Sequence, residues 1–394
     1  MLAWLTLTRE LYNAALQERR GAWQKQGVRI TTFDQIRALA SVRTVRPEFE
    51  SVPIVAQRGA LLRLSHAFDG FFRRLRAQEK KLGYPRFRGA RRWNSIVFDD
   101  LSGRMPICAG GTRIKIPLLG KVKFKQHRPL EGTPKTLCLK LAGDGHWYVI
   151  LACVDVPTKP LPVTGREVGI DLGLATLVAT SAGEKFQNIR ALATARLAIE
   201  RAQRRTSRRK RGSHRRRKAV RLLARKHFHV VQVRRQHAIL VARALTQKHD
   251  TIYVEALNLR GLAQGMLAKQ VLDAGWGIFL HWLHVKAEEA GREVVEVNPA
   301  GTSQVCSACG CEVPKDLAIR VHDCPRCGHI ADRDVNAAQN IKRLGKSLRG
   351  GAAAVRAPQQ SAKSESQRGT EPHPSSDAAF SRTTPIHHEL AKNE

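Results

Sequence analysis

Acidic residues are scarce in this sequence. Its 394 residues include 33 Asp and Glu against 68 Lys and Arg, which gives a formal net charge of +35 and a pI near 10.9. An excess on this scale attracts polyanions, so a nucleic acid is the expected partner, although an acidic membrane surface would attract the same charge. With 42% hydrophobic residues the chain can still bury a core.

Long hydrophobic runs are also lacking. No stretch reaches the roughly 18 uninterrupted apolar residues that a membrane-spanning helix needs. The N-terminal "MLAWLTLTREL" becomes charged before any site typical of signal-peptide cleavage. We therefore expect a soluble, intracellular protein without a membrane partner.

Five of the eight cysteines lie in one late segment, "CSACGCEVPKDLAIRVHDCPRCG". Cys306 with Cys309 and Cys324 with Cys327 form two Cys-x-x-Cys-Gly motifs separated by fourteen residues, a pattern typical of tetrahedral zinc. Four thiolates leave no position open for water, so the predicted zinc is structural. Cys311 is a surplus thiol that could replace Cys309, and a redox dithiol is the alternative for a single pair.

Hydrophobic periodicity divides the chain into segments. Residues 1–85 have the period of helices, and 86–158 have the two-residue period of strands, with a Gly-Asp-Gly turn that predicts a hairpin. The pattern is helical again from about 187 to 248. Residues 346–394 are rich in Ser, Pro, Ala and Gln without apolar periodicity, which predicts a disordered tail.

One charged tract stands out within the second helical segment. No acid occurs between Glu200 and Asp250, and the tract includes "RRTSRRKRGSHRRRKAVRLLARK". A charge run is usually a solvated helix face, but self-repulsion in a tract of one sign favours a surface that contacts phosphates. A contribution to solubility or a localisation signal are the alternatives.

Three acids occupy positions where short apolar segments end or a helix begins. Asp171 lies in "EVGIDLGLATLVATSAGE", Glu255 ends "TIYVE", and Asp334 opens the predicted helix of "ADRDVNAAQNI". Singly, they could serve a turn, the end of an edge strand and a helix cap. Together, carboxylates from three elements could hold two divalent ions about 3.5–4 Å apart, as phosphodiester hydrolysis requires. Since clustered acids repel one another without cations, convergence implies Mg²⁺.

Several motifs also resemble those of a known family, in sequence and in order. "GIDLGLATLVATSAGE", "IYVEALNLRGL", "NPAGTSQVCSACG", "CPRCG" and "DRDVNAAQNI" resemble the TnpB (OrfB) family of transposon-encoded RNA-guided DNA endonucleases, which is related to the type V CRISPR effectors. The resemblance includes "RELYNAALQERR" and extends over residues 8–345. It implies a mixed α/β multidomain fold with a helical recognition lobe, a β-barrel wedge domain and an RNase H-like (RuvC-like) nuclease domain with an inserted zinc ribbon.

The resemblance also implies domain boundaries and site residues. Asp171, Glu255 and Asp334 would be catalytic and would bind Mg²⁺, while the four paired cysteines would bind zinc. Asp332 is the rival for the third acid, but the family motif places that acid directly before x-Asn-Ala-Ala, which selects Asp334. The implied domains are a recognition lobe at 1–85, a wedge at 86–158, a nuclease domain at 165–302 and 331–345, a zinc ribbon at 303–330 and a tail at 346–394.

The implied partners are a guide RNA from the transposon end and a DNA target, double-stranded and then opened to single strands. Tyr84, Arg86 and Phe87 would flank the duplex where a short target-adjacent motif is recognised. The expected location is the cytoplasm of a prokaryote, in association with the nucleoid, and the oligomeric state is not indicated. Family members usually begin with a further strand of the wedge barrel, whereas this sequence starts almost at a helix, so the barrel is expected to lack an edge strand unless the start codon is assigned too late.

Three other functions are compatible with parts of this pattern. A nuclease-inactive RNA-guided DNA-binding protein would share the fold and charge, but would be expected to have lost an acid. A transposase acting directly in DNA recombination could use the same acids. An actin-like or sugar-kinase ATPase also opens with a strand resembling "GIDLG", but would leave the cysteines and the arginine tract unexplained.

Overall fold

Helices form the N-terminal part of the chain, as the periodicity predicts. The structure is a computed structural model that describes residues 1–353 except 80, 102–106, 108–111, 128, 299–300 and 317–318. Two long helices dominate this part, α1 (Leu2–Gln26) and α4 (Ile54–Arg76), with the short α2 (Thr32–Arg37) and α3 (Leu39–Val45) between them. Helix α1 ends at Gly27, whose φ of 66° is the left-handed conformation favoured at helix C-termini.

Five strands follow: β1 (Ser95–Phe98), β2 (Arg113–Ile116), β3 (Gly120–Lys123), β4 (Thr133–Leu141) and β5 (Trp147–Val154). The predicted hairpin is confirmed, since β4 and β5 pair antiparallel on either side of Gly143-Asp144-Gly145. The sheet shares one hydrophobic core with the helices before it, in which Tyr12, Leu61 and Leu137 are buried.

The predicted barrel is not closed by the strands that the structure describes. They form a three-stranded sheet in the order β1-β4-β5 and a separate hairpin of β2 with β3. Closure would require both edge strands of the sheet to pair on their outer sides. Strands β1 and β5 each pair on one side only, so the sheet is open.

A second sheet contains the strands on which the candidate acids lie. Its five strands have the order β10-β9-β6-β7-β8; the inner pair β6 and β9 is parallel, as is β9 with β10, whereas β7 is antiparallel to both of its neighbours. The strands are β6 (Glu167–Leu172), β7 (Thr176–Thr180), β8 (Lys185–Gln187), β9 (Thr251–Glu255) and β10 (Glu293–Val297).

Helices connect and cover these strands. The predicted helical segment is confirmed as α5 (Ala191–Ser207) and α6 (His214–Lys248), and α7 (Leu259–Leu262), α8 (Ala268–Ala274) and α9 (Trp276–Ala290) come between β9 and β10. Residues of α6 and α9, including Leu245 and Leu283, form one core with Ile170 and Val254 of the inner strands. The last elements of the described part of the chain are a short hairpin of β11 (Val321–Asp323) and β12 (Ile330–Asp332) and the helix α10 (Arg333–Ala353).

Helix α10 packs on the face of the five-stranded sheet that is opposite to α6 and α9. Its Ile341 is buried with Tyr253 of β9, and a Cβ added at Gly169 of β6 would lie 2.1 Å from the carbonyl oxygen of Ala338. The helix also continues through Ala353, beyond the predicted boundary at 345, and the remainder of the predicted tail, 354–394, lies outside the described residues. Every described helix is too short or too polar to cross a membrane.

Gly169→Ala should destabilise the protein, because the new methyl group would meet the backbone of α10. We expect a loss of about 1–3 kcal/mol in the free energy of unfolding, the usual cost of overpacking a core, measured by urea denaturation. Gly21→Ala is the matched control, since nothing lies within 4 Å of a Cβ at that helical position. A Gly169→Ala variant as stable as wild type would contradict the close packing of α10 on β6.

Candidate carboxylate and zinc sites

Asp171 and Glu255 lie at the carboxyl ends of the two inner parallel strands. Ile170 is opposite Val254 in the register of β6 with β9, so Asp171 and Glu255 occupy the next matching positions. Side chains alternate between the faces of a sheet. Because Ile170 and Val254 face the core of α6 and α9, both acids face α10.

Asp334 reaches the same place from the first turn of α10. Its Oδ2 lies 3.9 Å from the position that a Cβ on Gly173 would occupy, directly after β6. The structure therefore brings together the three acids that the sequence singles out. They come from two strands and one helix, as the sequence predicts.

The electrostatics of this cluster reflect burial and like charges. Burial, followed by the negative charges of Glu255 and Asp334, raises the pKa of Asp171 to about 7, although the Leu172 amide and Arg333 act in the opposite direction. Burial also raises the pKa of Glu255, against a hydrogen bond from Thr302. Such a group of hard oxygen donors fits divalent cations such as Mg²⁺, which would offset the repulsion.

Asp332, the rival for the third acid, has other partners. Its Oδ1 accepts hydrogen bonds from the amides of Asp334 at 3.1 Å and Val335 at 3.2 Å, and its Oδ2 lies 2.6 Å from Nζ of Lys185. Burial opposes ionisation of Asp332, but Lys185 and the two amides outweigh it and lower its pKa. Asp332 therefore caps α10, and Asp334 does not.

The two other structural explanations of the acids are also wrong. Strand β9 lies between β6 and β10, and all its residues are buried, so Glu255 does not end an edge strand. Asp171 lies within β6, opposite Ala179 of β7, and not in a turn.

Four cysteine thiols form a tighter cluster than the carboxylates. The Sγ atoms of Cys306, Cys309, Cys324 and Cys327 all lie within 4.8 Å of one another, and no other group of three or more metal-binding side chains in the described part of the chain has this spacing. The Cys306–Cys327 and Cys309–Cys324 Sγ distances are 3.7 and 3.6 Å. Tetrahedral zinc with bonds of about 2.3 Å requires sulfur atoms about 3.8 Å apart, so the cluster fits zinc.

The backbone forms the same tight turn around each pair of cysteines. The amides of Gly310 and Gly328 donate to the carbonyls of Cys306 and Cys324, each at 2.9 Å, and both glycines have the positive φ that an L side chain disfavours. Burial alone would raise the pKa of Cys324, but amides of Cys327 and Arg326 help to lower it to about 7.

Cys311 does not replace Cys309. Its thiol lies 3.6 Å from the carbonyl oxygen of Glu312, and its own carbonyl accepts a hydrogen bond from the amide of Cys306. The surplus cysteine therefore supports the first pair through its backbone. A redox dithiol is not required to explain either pair, because all four thiols converge.

Several polar residues next to these sites were not predicted from the sequence. Thr302 is buried and donates a hydrogen bond from its hydroxyl to Oε1 of Glu255. Asn336 and Asn340, also buried, hold the chain between Thr302 and Ser307 against α10. The spacing of the two asparagines by four residues, one helical turn, is the signal that could have identified them.

The basic tract forms exposed surfaces on α5, α6 and the turn between them. Arg208, Arg209 and Arg211 are exposed. No ion pair in the described part of the chain involves a basic residue between 201 and 233. Arg216 differs, since it donates to the carbonyl oxygens of Thr206 and Arg209 and so fastens the turn.

The residues predicted to flank a duplex lie in the irregular segment between α4 and β1. Tyr84, Arg86 and Phe87 line a cavity of about 420 Å³ together with Leu16 and Arg20. Tyr84 and Phe87 are 43% and 49% exposed, so their rings are accessible from solvent. The structure alone assigns no ligand to this cavity.

Fold and sites together define a basic, mixed α/β protein in which a four-cysteine module adjoins a carboxylate cluster. Two family descriptions match the chain: "Probable transposase", of the OrfB group, over residues 151–266, and "Cas12f1-like, TNB domain" over residues 276–341. The chain is 31% identical over 351 residues to a "Putative RNA-guided DNA endonuclease" of Streptomyces pristinaespiralis, covering 86% of this chain and 83% of that protein.

Two further similarities agree with this one. The "Putative RNA-guided DNA endonuclease InsQ" of Escherichia coli K12 is 27% identical over 302 residues, which cover 72% of this chain and 73% of that protein. The structure of a Cas12f1-sgRNA-target DNA complex matches the fold with a TM-score of 0.51 at 14% identity, over 86% of this chain and 81% of that one. The chain belongs to the TnpB (OrfB) family.

Removal of zinc should destabilise the region around the four cysteines. Cys324→Ser should abolish stoichiometric zinc, measured by elemental analysis, and lower the melting temperature, because a closed thiolate site contributes folding energy directly. Cys311→Ser is the matched control and should retain zinc. Loss of zinc from the Cys311 variant, or full stability of the Cys324 variant, would contradict the assigned ligands.

Asp171→Asn should stabilise the metal-free protein at alkaline pH. Because the folded pKa of Asp171, about 7, exceeds the usual value of about 4, the free energy of unfolding falls as pH rises from about 4 to 7. The variant should exceed wild type by on the order of 4 kcal/mol at pH 8, with no difference near pH 4. Chemical denaturation in buffer from which divalent cations have been removed measures the free energy of unfolding of both proteins.

Asp332→Asn is the control of opposite sign, since its lowered pKa means that its charge stabilises the fold at neutral pH. Addition of Mg²⁺ should raise the melting temperature of wild type more than that of Asp171→Asn. A less stable Asp171→Asn variant at pH 8 would show that the cluster carries no unfavourable repulsion.

Proposed function

We propose that the protein is a transposon-associated RNA-guided DNA endonuclease that cleaves its target by Mg²⁺-dependent phosphodiester hydrolysis. The convergence of Asp171, Glu255 and Asp334 on one face of a sheet is the observation that carries this proposal. Membership of the TnpB (OrfB) family and the names of the two relatives support it.

The three carboxylates would hold the cations beside the scissile phosphodiester. Two divalent ions at such a site activate a water molecule and stabilise the leaving oxygen. Burial keeps Asp171 and Glu255 poorly solvated, so their charges act on the cations with little screening by water. We propose that the three carboxylates together hold two ions, as two-metal phosphodiester hydrolysis requires.

The proposed domains follow from these elements. The helices of 1–85 would form the recognition lobe and 86–158 the wedge domain, despite their common core. The sheet with its acids would be the RuvC-like nuclease domain at 165–302 and 331–345, with the zinc ribbon at 303–330. In this proposal zinc is structural, since four thiolates leave no position open.

The basic surface would bind RNA and the guide–target duplex. Specificity would come from base pairing of the guide RNA with one DNA strand, so the protein needs to contact phosphates and duplex shape and not bases. The exposed arginines between residues 201 and 233, which form no ion pair among the described residues, suit this role. The cavity at Tyr84 and Phe87 would lie where the target-adjacent motif is recognised.

Two alternative functions would give different results in the experiment described below. A nuclease-inactive RNA-guided DNA-binding protein would bind target without cutting it, and the retention of all three acids argues against it. A transposase acting directly in recombination would join DNA ends without a guide, which the family description "Probable transposase" brings into consideration.

The test uses the protein with the RNA that copurifies with it. That RNA is sequenced, and a DNA duplex complementary to its variable segment is offered with Mg²⁺. Asp171→Ala, Glu255→Ala and Asp334→Ala should each reduce cleavage by more than about 100-fold, as loss of one electrostatic contact to a transition state does, while RNA and target binding are unchanged.

Asp332→Asn is the matched control for Asp334→Ala and should retain cleavage. Uncut but bound target with wild-type protein would identify an inactive binder, and guide-independent joining of ends would identify a transposase. Cleavage by Asp171→Ala at the wild-type rate would refute the proposed site.

A further inference from the structure

The chain that leads into the cysteine module is fastened along α10 by buried amides. Asn340 Nδ2 donates to the carbonyl oxygens of Thr302 at 2.9 Å and Val305 at 2.7 Å. Asn336 Nδ2 donates to Val305 at 2.8 Å, and its Oδ1 accepts from the amide of Ser307 at 2.9 Å. Both asparagines are at most 1% exposed, so these hydrogen bonds are shielded from water.

The same short segment contacts the carboxylate cluster. Thr302, 3% exposed, donates from its hydroxyl to Oε1 of Glu255, which is 9% exposed. The segment from Thr302 to Cys306 therefore has a carboxylate contact at one end and a cysteine of the zinc cluster at the other. Helix α10 holds it in the middle and also supplies Asp334.

We propose that Thr302 is a positioning residue that orients the Glu255 carboxylate for a divalent cation, and that the four-cysteine module fixes Thr302 through the segment held by Asn336 and Asn340. One hydroxyl hydrogen bond occupies Oε1 and restricts rotation of the carboxyl group. Residues that hydrogen-bond a metal-binding side chain in this way set its direction as well as its charge. The four-cysteine module would thus act on the carboxylate site through the chain.

The geometry explains why the hydroxyl has to come from a fixed segment. A threonine on a mobile loop would lose its hydrogen bond whenever the loop moved, and the ordering would cost conformational entropy each time. Here the backbone carbonyl of Thr302 is itself an acceptor of Asn340. Both the backbone and the side chain of Thr302 are therefore held, one by α10 and the other by Glu255.

This inference rests on the proposed function only for its cleavage readout; its first test measures cation binding directly. Thr302→Val keeps the shape of the side chain and removes the hydroxyl, while Thr302→Ser keeps the hydroxyl. Binding of Mn²⁺ to the zinc-loaded protein is measured by the free-ion electron paramagnetic resonance signal. Thr302→Val should weaken Mn²⁺ binding by about 10-fold or more, the usual effect of removing such a partner, and Thr302→Ser should restore it.

Cleavage provides a second readout. The Mg²⁺ concentration for half-maximal cleavage should rise for Thr302→Val and return toward wild type for Thr302→Ser, with target binding unchanged. A purely structural threonine would lower the melting temperature and leave both cation measurements unaltered. That result would overturn the inference.

The link to the zinc module is tested by non-additivity. Cys309→Ser should weaken Mn²⁺ binding in the wild-type background and add little in the Thr302→Val background, because both changes act through one segment. Cys309→His, which retains a zinc ligand, should behave more like wild type. Fully additive effects, or unaltered Mn²⁺ binding by a folded Cys309→Ser variant, would contradict the coupling.

The outcomes separate the inference from the proposed function. If wild type binds Mn²⁺ but cuts no DNA, and Thr302→Val binds Mn²⁺ more weakly, the inference holds and the nuclease proposal fails. If wild type cuts, but Thr302→Val matches it in Mn²⁺ affinity and Mg²⁺ dependence, the nuclease proposal holds and the inference fails.

Discussion

Repulsion among carboxylates on one face of a sheet is the constraint on which the rest of this structure depends. Asp171 and Glu255 follow matching positions on parallel strands, so neither can move away from the other without breaking the strand pairing. Asp334 adds a third charge from α10, and burial, followed by the charges of Glu255 and Asp334, raises the pKa of Asp171 to about 7. A fold that keeps such a group loses stability unless cations bind. The repulsion on this face of the sheet therefore cannot be relieved by separating the two strands.

Close packing of α10 on β6 is what converts two neighbouring acids into a cluster of three. Gly169 has no side chain that would separate the helix from the strand. The backbone carbonyl oxygen of Ala338 lies at the point of contact. Asp332 is the last residue of the hairpin of the cysteine module, and its side chain also caps α10. The start of the helix, and with it the position of Asp334, is therefore fixed by the chain that folds around the cysteines.

Much of this arrangement is predictable from the sequence, and the physical reasons are local. Strand periodicity with its Gly-Asp-Gly turn and the Cys-x-x-Cys-Gly spacing each depend on neighbouring residues, and the corresponding elements were found. Asp171 and Glu255 could be identified because charge is rare in buried strands, and Asp334 because it opens a predicted helix. Thr302, Asn336 and Asn340 could not be identified in this way, since their roles depend on contacts across 29 to 47 residues of sequence. The order β1-β4-β5 among the described strands likewise reflects pairing that periodicity does not specify.

The junction between β12 and α10 has no linker, because β12 ends at Asp332 and the helix begins at Arg333. An α-helix turns by about 100° for each residue. A single inserted residue at this junction would rotate the acid and the two asparagines away from their partners together, or else displace the last cysteine pair. The chain length between Cys327 and Asp334 therefore matters more than the identity of most residues within it, and variation there should take the form of substitution and not of insertion or deletion.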